Sequence, residues 1–265
     1  MGNFYTAHYT ERKELQKKFG RKLSLKSKYK PNFPMSVERE FLRVSRAIYR
    51  ELWGALEPII AGALLAVQRG ETIPDLGYYA VSGSSRKKIE KIGTQLTNFA
   101  IKQWKLVTKR TLDIDINNAY YQGMFEALIK DWEHNQIHRI QQRIDETIAD
   151  IYAVLDEAGT GVFDVIPIGT VAENVRHEYE KLQSGLEFVA RDSTGNMFSQ
   201  MIMLMAIDAM SEQYIWSTKM DGRERPAHAA RNGHIFRWDD PPIGGAPGED
   251  YNCRCIGWPV FRRPY

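Results

Sequence analysis

The sequence contains only two cysteines, Cys253 and Cys255, and a single residue separates them. Such close cysteines do not make an ordinary disulfide framework, so we expect the chain to be made in a reducing cytoplasm. Long apolar runs are also missing, because the run from Ile59 to Val67 is far shorter than the roughly 20 residues that cross a bilayer. The N-terminus lacks the apolar core of a secretory signal. These absences argue against a disulfide-rich secreted domain and predict no membrane partner.

Acidic residues are scarce at the N-terminal end. Residues 1–35 carry nine basic side chains against two acidic ones, whereas the formal net charge of the whole chain is only +3. A predicted helix over 84–111 adds eight basic residues and one acid, Glu90. Basic segments of this kind contact phosphates without reading sequence. The predicted nucleic-acid contacts in the N-terminal segment are Arg12, Lys13, Lys17, Lys18, Arg21, Lys22, Lys26, Lys28 and Lys30.

Apolar residues recur at helical spacing through most of the chain. Ser36 is the predicted N-cap of the first long helix, and Pro58 is expected to kink or break that helix. Gly159 to Gly169 is a predicted break between later helices. The predicted helices cover 11–19, 36–68, 84–111, 116–131 with an extension to about 155, 170–182 and 184–214.

Helical periodicity stops near Trp216, and the remainder is rich in Gly, Pro, Asn and Asp. The predicted fold class is a mainly α N-terminal region, packed as a helical bundle or long hairpins, followed by a small loop-rich α+β domain. We expect three parts: a basic N-terminal arm over 1–35, a helical region over 36–190 and a C-terminal domain over 191–265. Trp53, Trp104 and Trp132 are predicted to pack in the helical core.

The C-terminal segment carries many rare residues in a compact order. They are Trp216, Asp221, Arg223, Arg225, His228, Asn232, Gly233, Pro247, Gly248, Asp250, Asn252, Cys253, Arg254 and Cys255. With Tyr214 and Glu249, this pattern closely resembles the C-terminal domain of the Mu-F-like family of phage head morphogenesis proteins. The resemblance covers about a quarter of the chain, from Arg191 to Pro259, and the helical part before it resembles the family only in character.

The resemblance implies a minor head protein of a tailed bacteriophage that acts in head morphogenesis and in DNA packaging or ejection. It implies contacts with the portal protein, the inner capsid surface and packaged DNA. The expected location is the virion, in the head interior or at the neck, after synthesis in the host bacterial cytoplasm. We therefore expect a structural protein and no catalytic residues.

Three chemical interpretations of the motif stay open at this stage. In the first, a tetrahedral zinc is bound by His228, His234, Cys253 and Cys255, which would be a structural metal in a protein with no other predicted cofactor. In the second, no metal is bound, and Asp221, Arg223 and Arg225 form buried ion pairs with Asp250 or Glu249. In the third, the Asp-Arg-His and Cys-Arg-Cys residues form the active site of a nuclease or another enzyme.

The two halves of the motif are expected to meet in space, although about thirty residues separate them. A turn-rich segment without a long apolar stripe needs specific polar or metal cross-links to hold one conformation. The turn formers between Asp239 and Gly248 allow the chain to fold back. The residues predicted to converge are Asp221, Arg223, Arg225, His228, Cys253 and Cys255. A second histidine pair, His134 and His138, is predicted to be solvated on its helix.

Overall fold

The computed structural model describes residues 24–27, 29–160, 166–220 and 222–262. Four long helices are α1 (Met35–Arg69), α2 (Gly83–Leu112), α3 (Asn118–Thr160) and α4 (Ile168–Asp208). The short elements are β1 (Ser24–Lys26), β2 (Gln213–Ser217), α5 (Pro226–Arg231), β3 (Ile235–Arg237) and β4 (Ile256–Arg262). The predicted class, a mainly α N-terminal region followed by a small α+β domain, is confirmed. The helix predicted over 11–19 lies outside the described residues.

Helix α1 runs through Pro58 without ending, so of the predicted kink or break the break does not occur. Its buried stripe includes Phe41, Ile48 and Leu56, spaced to lie on one face. Pro58 is exposed on another face, where water can serve the carbonyl that proline leaves without a partner. By length and composition alone α1 would be able to cross a membrane, which is weak evidence because a core helix of a soluble protein passes the same test.

Polar side chains fix where α2 and α3 begin. The Ser82 hydroxyl accepts a hydrogen bond from the Ser85 amide at 3.2 Å, just before α2. The Asn117 side chain accepts hydrogen bonds from the amides of Ala119 and Tyr120, at 3.0 and 3.4 Å, and so caps α3. Both helices begin within two residues of their predicted starts, and α3 continues beyond residue 155 as one helix.

Helix α4 differs from its prediction in two ways. It is one helix rather than two, because Leu182 and Leu186 keep its buried stripe continuous across the predicted junction. It also ends at Asp208, so the prediction that the helix continues to Tyr214 is wrong. Met210 adopts a left-handed φ of 59°, and the Ser211 amide donates to the Ala206 carbonyl at 2.8 Å, an arrangement that closes a helix C-terminus.

The strands form one antiparallel sheet in the order β1-β4-β2-β3. In the register of β2 and β4, Tyr214 faces Pro259 and Trp216 faces Gly257. A Cβ atom on Gly257 would lie 2.2 Å from the Trp238 ring, so this glycine makes room for that tryptophan. The sheet thus gathers the aromatic residues of the C-terminal segment, and it includes a strand from the segment predicted as a basic arm.

The chain divides into two compact units. Unit 1 consists of Met1–Met35, Thr94–Ile129 and Asp192–Tyr265, and unit 2 of Ser36–Gly93 and Lys130–Arg191. The core of unit 1 includes Trp104, Phe198 and Phe261, and that of unit 2 includes Phe41, Trp132 and Ile140. Trp53, the third tryptophan predicted to pack, is half-buried against Tyr179 in unit 2. The domain boundaries predicted after residues 35 and 190 stay predictions.

Candidate functional site

The candidate site is a cluster in unit 1, made by His228, Cys253 and Cys255, which we call the His–Cys–Cys cluster. His228 lies on the short helix α5, where Pro226 occupies the first turn with its φ already suited to a helix. The cysteines lie on the turn that leads into β4. Asn252 takes a left-handed φ of 51° there, and the Cys253 amide donates to the Asp250 carbonyl at 3.1 Å.

The three side chains point at one another. Nδ1 of His228 lies 3.6 Å from Sγ of Cys253 and 3.6 Å from Sγ of Cys255. All three candidate ligand atoms lie within 4.8 Å of one another. The expected convergence of His228 with both cysteines is therefore found in the structure.

A carboxylate supports the far side of the imidazole. Oδ2 of Asp250 lies 3.4 Å from Nε2 of His228 and 3.2 Å from a guanidinium nitrogen of Arg225. Arg225 also donates to the Tyr251 carbonyl at 2.9 Å. The predicted pair of Arg225 with Asp250 is present, but its side chains are 46% and 33% exposed, so it is not the buried pair that was expected.

The two thiols differ in acidity. The pKa of Cys253 is lowered to about 6, chiefly because its sulfur accepts a hydrogen bond from the Cys255 thiol, and burial opposes this shift. The backbone amide of Cys255 also points at the Cys253 sulfur, at 3.4 Å. The pKa of Cys255 is raised, because its thiol is the donor to Cys253 and because it is buried. These opposite directions favour a thiolate on Cys253 and a protonated thiol on Cys255.

One face of α4 supports the turn that carries the cysteines. Asp192 Oδ1 accepts a hydrogen bond from the Asn252 amide at 2.9 Å, and the Ser199 hydroxyl donates to the Cys255 carbonyl at 3.2 Å. Between them, a Cβ atom on Gly195 would lie 2.6 Å from the Cys253 carbonyl oxygen. Sequence reasoning assigned no role to these α4 residues. The available signal was their spacing of three and four, which places a small or polar stripe on one face of an apolar helix.

Strand β2 closes the cluster from another side. The ring centroids of Trp216 and His228 are 5.2 Å apart in an edge-to-face arrangement. The Asn232 side chain accepts a hydrogen bond from the Thr218 amide at 3.0 Å, and the Gly233 amide donates to the Trp216 carbonyl at 2.8 Å. The motif residues Trp216, Asn232 and Gly233 therefore tie the loop after α5 to the sheet.

Other predicted residues contribute no ligand atom to the cluster in the described part of the chain. His234, a predicted zinc ligand, has an exposed side chain and does not belong to the cluster found among the described residues. Arg223 is exposed, and Arg254 lies 6.0 Å from the Phe33 ring centroid. The Glu249 carboxylate accepts a hydrogen bond from the Ala246 amide at 2.9 Å. Among the described residues, it does not form the ion pair with a motif arginine that was expected. Buried residues Pro247 and Gly248 shape the turn before the cysteines, and Asp221 lies outside the described residues.

Most of the predicted DNA contacts also fall outside the described residues. These are Arg12, Lys13, Lys17, Lys18, Arg21, Lys22 and Lys28. Lys26 lies in β1, where it pairs with Val260, and the Lys30 side chain is exposed. His134 and His138 are both exposed on α3, as predicted.

Comparison with protein families points to the same part of the chain. Residues 156–257 match the family described as Phage Mu protein F like protein, a span that contains the whole of α4 and the whole His–Cys–Cys cluster. This C-terminal region is Mu-F-like. An uncharacterized protein of Haemophilus influenzae (strain ATCC 51907 / DSM 11121 / KW20 / Rd) is 29% identical over 112 residues, which is 40% of this chain and 25% of that relative. No solved structure shows significant similarity.

The similarity of residues 156–257 to this family suggests a phage head morphogenesis protein. The match extends the Mu-F-like region upstream of the resemblance noted in the sequence, since it begins at residue 156. It therefore includes the α4 face that holds the cysteine turn. The chain matches only a quarter of the length of its Haemophilus relative.

Proposed function

We propose that this chain is a minor head protein of a tailed phage that acts in DNA packaging or ejection from the head interior or neck. In this proposal it binds the portal protein or the inner capsid surface, and it contacts packaged DNA without sequence preference. The observation that carries the proposal is the Mu-F-like match over residues 156–257. The part of the chain outside that match supplies the surfaces for partners.

Burial of the His–Cys–Cys cluster favours a structural role over the alternative of a nuclease. The relative exposures of its three residues are 5% for His228, 3% for Cys253 and 3% for Cys255. A phosphodiester has to reach a catalytic base within hydrogen-bond distance, and side chains this buried offer no such approach. We therefore assign the cluster to holding the fold.

Exposed cations on α2 support the DNA part of the proposal. Lys87, Lys88 and Lys91 are all exposed near the start of this helix, and its first turn contains no acid. Negative side chains usually occupy a helix N-terminus because they interact well with the helix dipole. Without an acid in the first turn, the positive end of the helix dipole lies near these lysines and favours contact with an anion such as a phosphate backbone.

Salt dependence tests the DNA contact. We expect a variant with Gln at Arg12, Lys13, Lys17, Lys18, Arg21 and Lys22 to bind two unrelated duplexes equally weakly at low salt. The slope of log affinity against log salt should become shallower by about 0.9 for each phosphate that the variant no longer neutralises. Fluorescence anisotropy at several salt concentrations measures both quantities. Substitutions are used here because deletion of residues 1–35 would also remove strand β1 from the sheet.

Two further variants, which change the net charge equally, measure the contribution of α2 to DNA binding. One replaces Lys87, Lys88 and Lys91 by Gln. The control replaces Arg43, Arg143 and Arg176, which pair with Glu40, Glu146 and Glu180 on their own helices at 2.8, 3.2 and 2.9 Å. We expect only the α2 variant to flatten the salt slope. Equal slopes for these two variants would remove α2 from the interface, and an unchanged slope in the six-residue variant would remove the N-terminal segment.

Binding to the portal is a separate prediction. Tyr78, between α1 and α2, is 75% exposed, and such aromatic side chains often dominate the binding energy of protein interfaces. Co-expression with the portal, capsid and scaffold proteins of the same phage should recover this chain with the portal or the capsid protein. Tyr78→Ser should weaken that binding by about tenfold or more if the residue is an anchor. Ile243→Ser, at a position that is 97% exposed in unit 1, is the control. Recovery with none of the three proteins would contradict the proposal.

A further inference from the structure

We propose that His228, Cys253 and Cys255 bind one structural zinc ion, through Nδ1 of the histidine and the two thiolates. The fourth coordination position is then filled by a water molecule or a carboxylate oxygen. This corrects the four-residue ligand set suggested by the sequence, because the exposed His234 is not part of the cluster.

The distances agree with a tetrahedral metal. With Zn–S bonds of about 2.3 Å and Zn–N bonds of about 2.0–2.1 Å, tetrahedral geometry separates the nitrogen from each sulfur by roughly 3.5 Å. The observed separations from Nδ1 are 3.6 Å to Cys253 and 3.6 Å to Cys255. Two thiolates and an imidazole favour zinc over magnesium or calcium, which prefer oxygen ligands.

The surroundings of the cluster also fit a metal site. A histidine that ligates through one ring nitrogen usually donates the other N–H to a carboxylate, which fixes the tautomer. Asp250 occupies this position at 3.4 Å from Nε2, and Arg225 holds Asp250 in place at 3.2 Å. The amide of Cys255 points at the Cys253 sulfur at 3.4 Å and would stabilise a thiolate there.

The placement of the cluster assigns the ion a structural role. It would join α5 to the turn before β4, two segments 25 residues apart that carry little regular structure between them. Zinc binding releases the thiol protons and contributes directly to folding, as in other small zinc-binding domains. The burial of all three residues leaves little access for a substrate.

Metal content and cobalt spectroscopy of the full-length protein test the proposal. After expression with added zinc and purification without chelator, elemental analysis should find about one zinc per chain. Replacement of that zinc by Co²⁺ should give the thiolate-to-cobalt charge-transfer band and the intense visible bands of a tetrahedral site. Cys253→Ser and His228→Gln should lose the metal, whereas His234→Gln should keep it.

Two aspartate variants test the zinc proposal even if the ligand variants do not fold. Asp250→Asn should retain the metal but lower its affinity by about 10- to 100-fold, as loss of an outer-shell carboxylate does. Asp239→Asn is the matched control, since Asp239 pairs with Arg237 at 2.7 Å away from the cluster. A folded wild-type protein without zinc and without the cobalt charge-transfer band would overturn the proposal. A disulfide between the two cysteines, seen as a mass lower by two hydrogens, would overturn it as well.

Discussion

Replacing Trp216 by Ala is expected to lower the free energy of unfolding by about 3–5 kcal/mol, the range for removal of a buried tryptophan. Trp216 is 1% exposed in strand β2. Its ring lies against His228, Phe236 and Arg231, the last through a guanidinium 5.0 Å from the ring centroid. Alanine would keep the backbone hydrogen bonds of the strand but leave a cavity beside the His–Cys–Cys cluster. Because domains are stable by only about 5–15 kcal/mol, this variant should be close to unfolding.

Urea unfolding followed by circular dichroism measures the effect. Ile243→Ala is the control in the same unit, because Ile243 is 97% exposed and its truncation should change stability by less than about 0.5 kcal/mol. Trp216→Phe should give an intermediate loss, since a smaller ring fills part of the space. A loss below about 1 kcal/mol in Trp216→Ala would show that the ring is not packed as described.

The long helices could be predicted from sequence because each buries a continuous apolar stripe. Ile140, Ile144, Ile151 and Leu155 are all buried on α3. Their separations of four and seven residues match the helical repeat, a local property that sequence alone displays. The error at Pro58 has a physical cause, since the effect of a proline depends on which face of the helix it occupies. That face is set by packing against other parts of the chain.

The end of α4 and strand β1 could not be predicted in the same way. Tyr214 continues an apolar pattern that is compatible with either a helix or a strand. It lies in a strand because it pairs with Pro259 on β4. Ser24–Lys26 carries no strand signal of its own, and it becomes a strand because β4 offers an edge. Pairing between residues distant in sequence thus settles what local patterns leave open.

The candidate site was predicted in part. His228, Cys253 and Cys255 were expected to meet because few other residue types in this segment can cross-link it, and they do. The support from α4 was missed, because Asp192 and Ser199 are common helix residues whose role depends on the turn that lies against them. The expected ion pair of Arg225 with Asp250 exists at the surface, where Asp250 also contacts His228.

Gly195→Ala is expected to destabilise the protein although alanine favours a helix. In a helix interior the change from glycine to alanine normally stabilises by about 0.5–1 kcal/mol. At Gly195, however, the new Cβ atom would lie 2.6 Å from the Cys253 carbonyl oxygen and 3.5 Å from the Phe33 ring. Backbone cannot rotate away as a flexible side chain can, so the cysteine turn has to move. Overpacking of this kind costs about 1–3 kcal/mol, which outweighs the helical gain.

Gly185→Ala on the same helix separates the helical gain of alanine from the cost of overpacking against the cysteine turn. A Cβ atom there would lie 3.6 Å from Cδ of Arg143, an ordinary van der Waals contact with a flexible side chain. We therefore expect opposite signs in urea unfolding, with Gly185→Ala more stable and Gly195→Ala less stable than the parent. The displaced turn should also reduce zinc affinity in Gly195→Ala and leave it unchanged in Gly185→Ala. Equal stabilisation by both substitutions would mean that α4 does not approach the cysteine turn this closely, and the support assigned to its Asp192–Ser199 face would then be wrong.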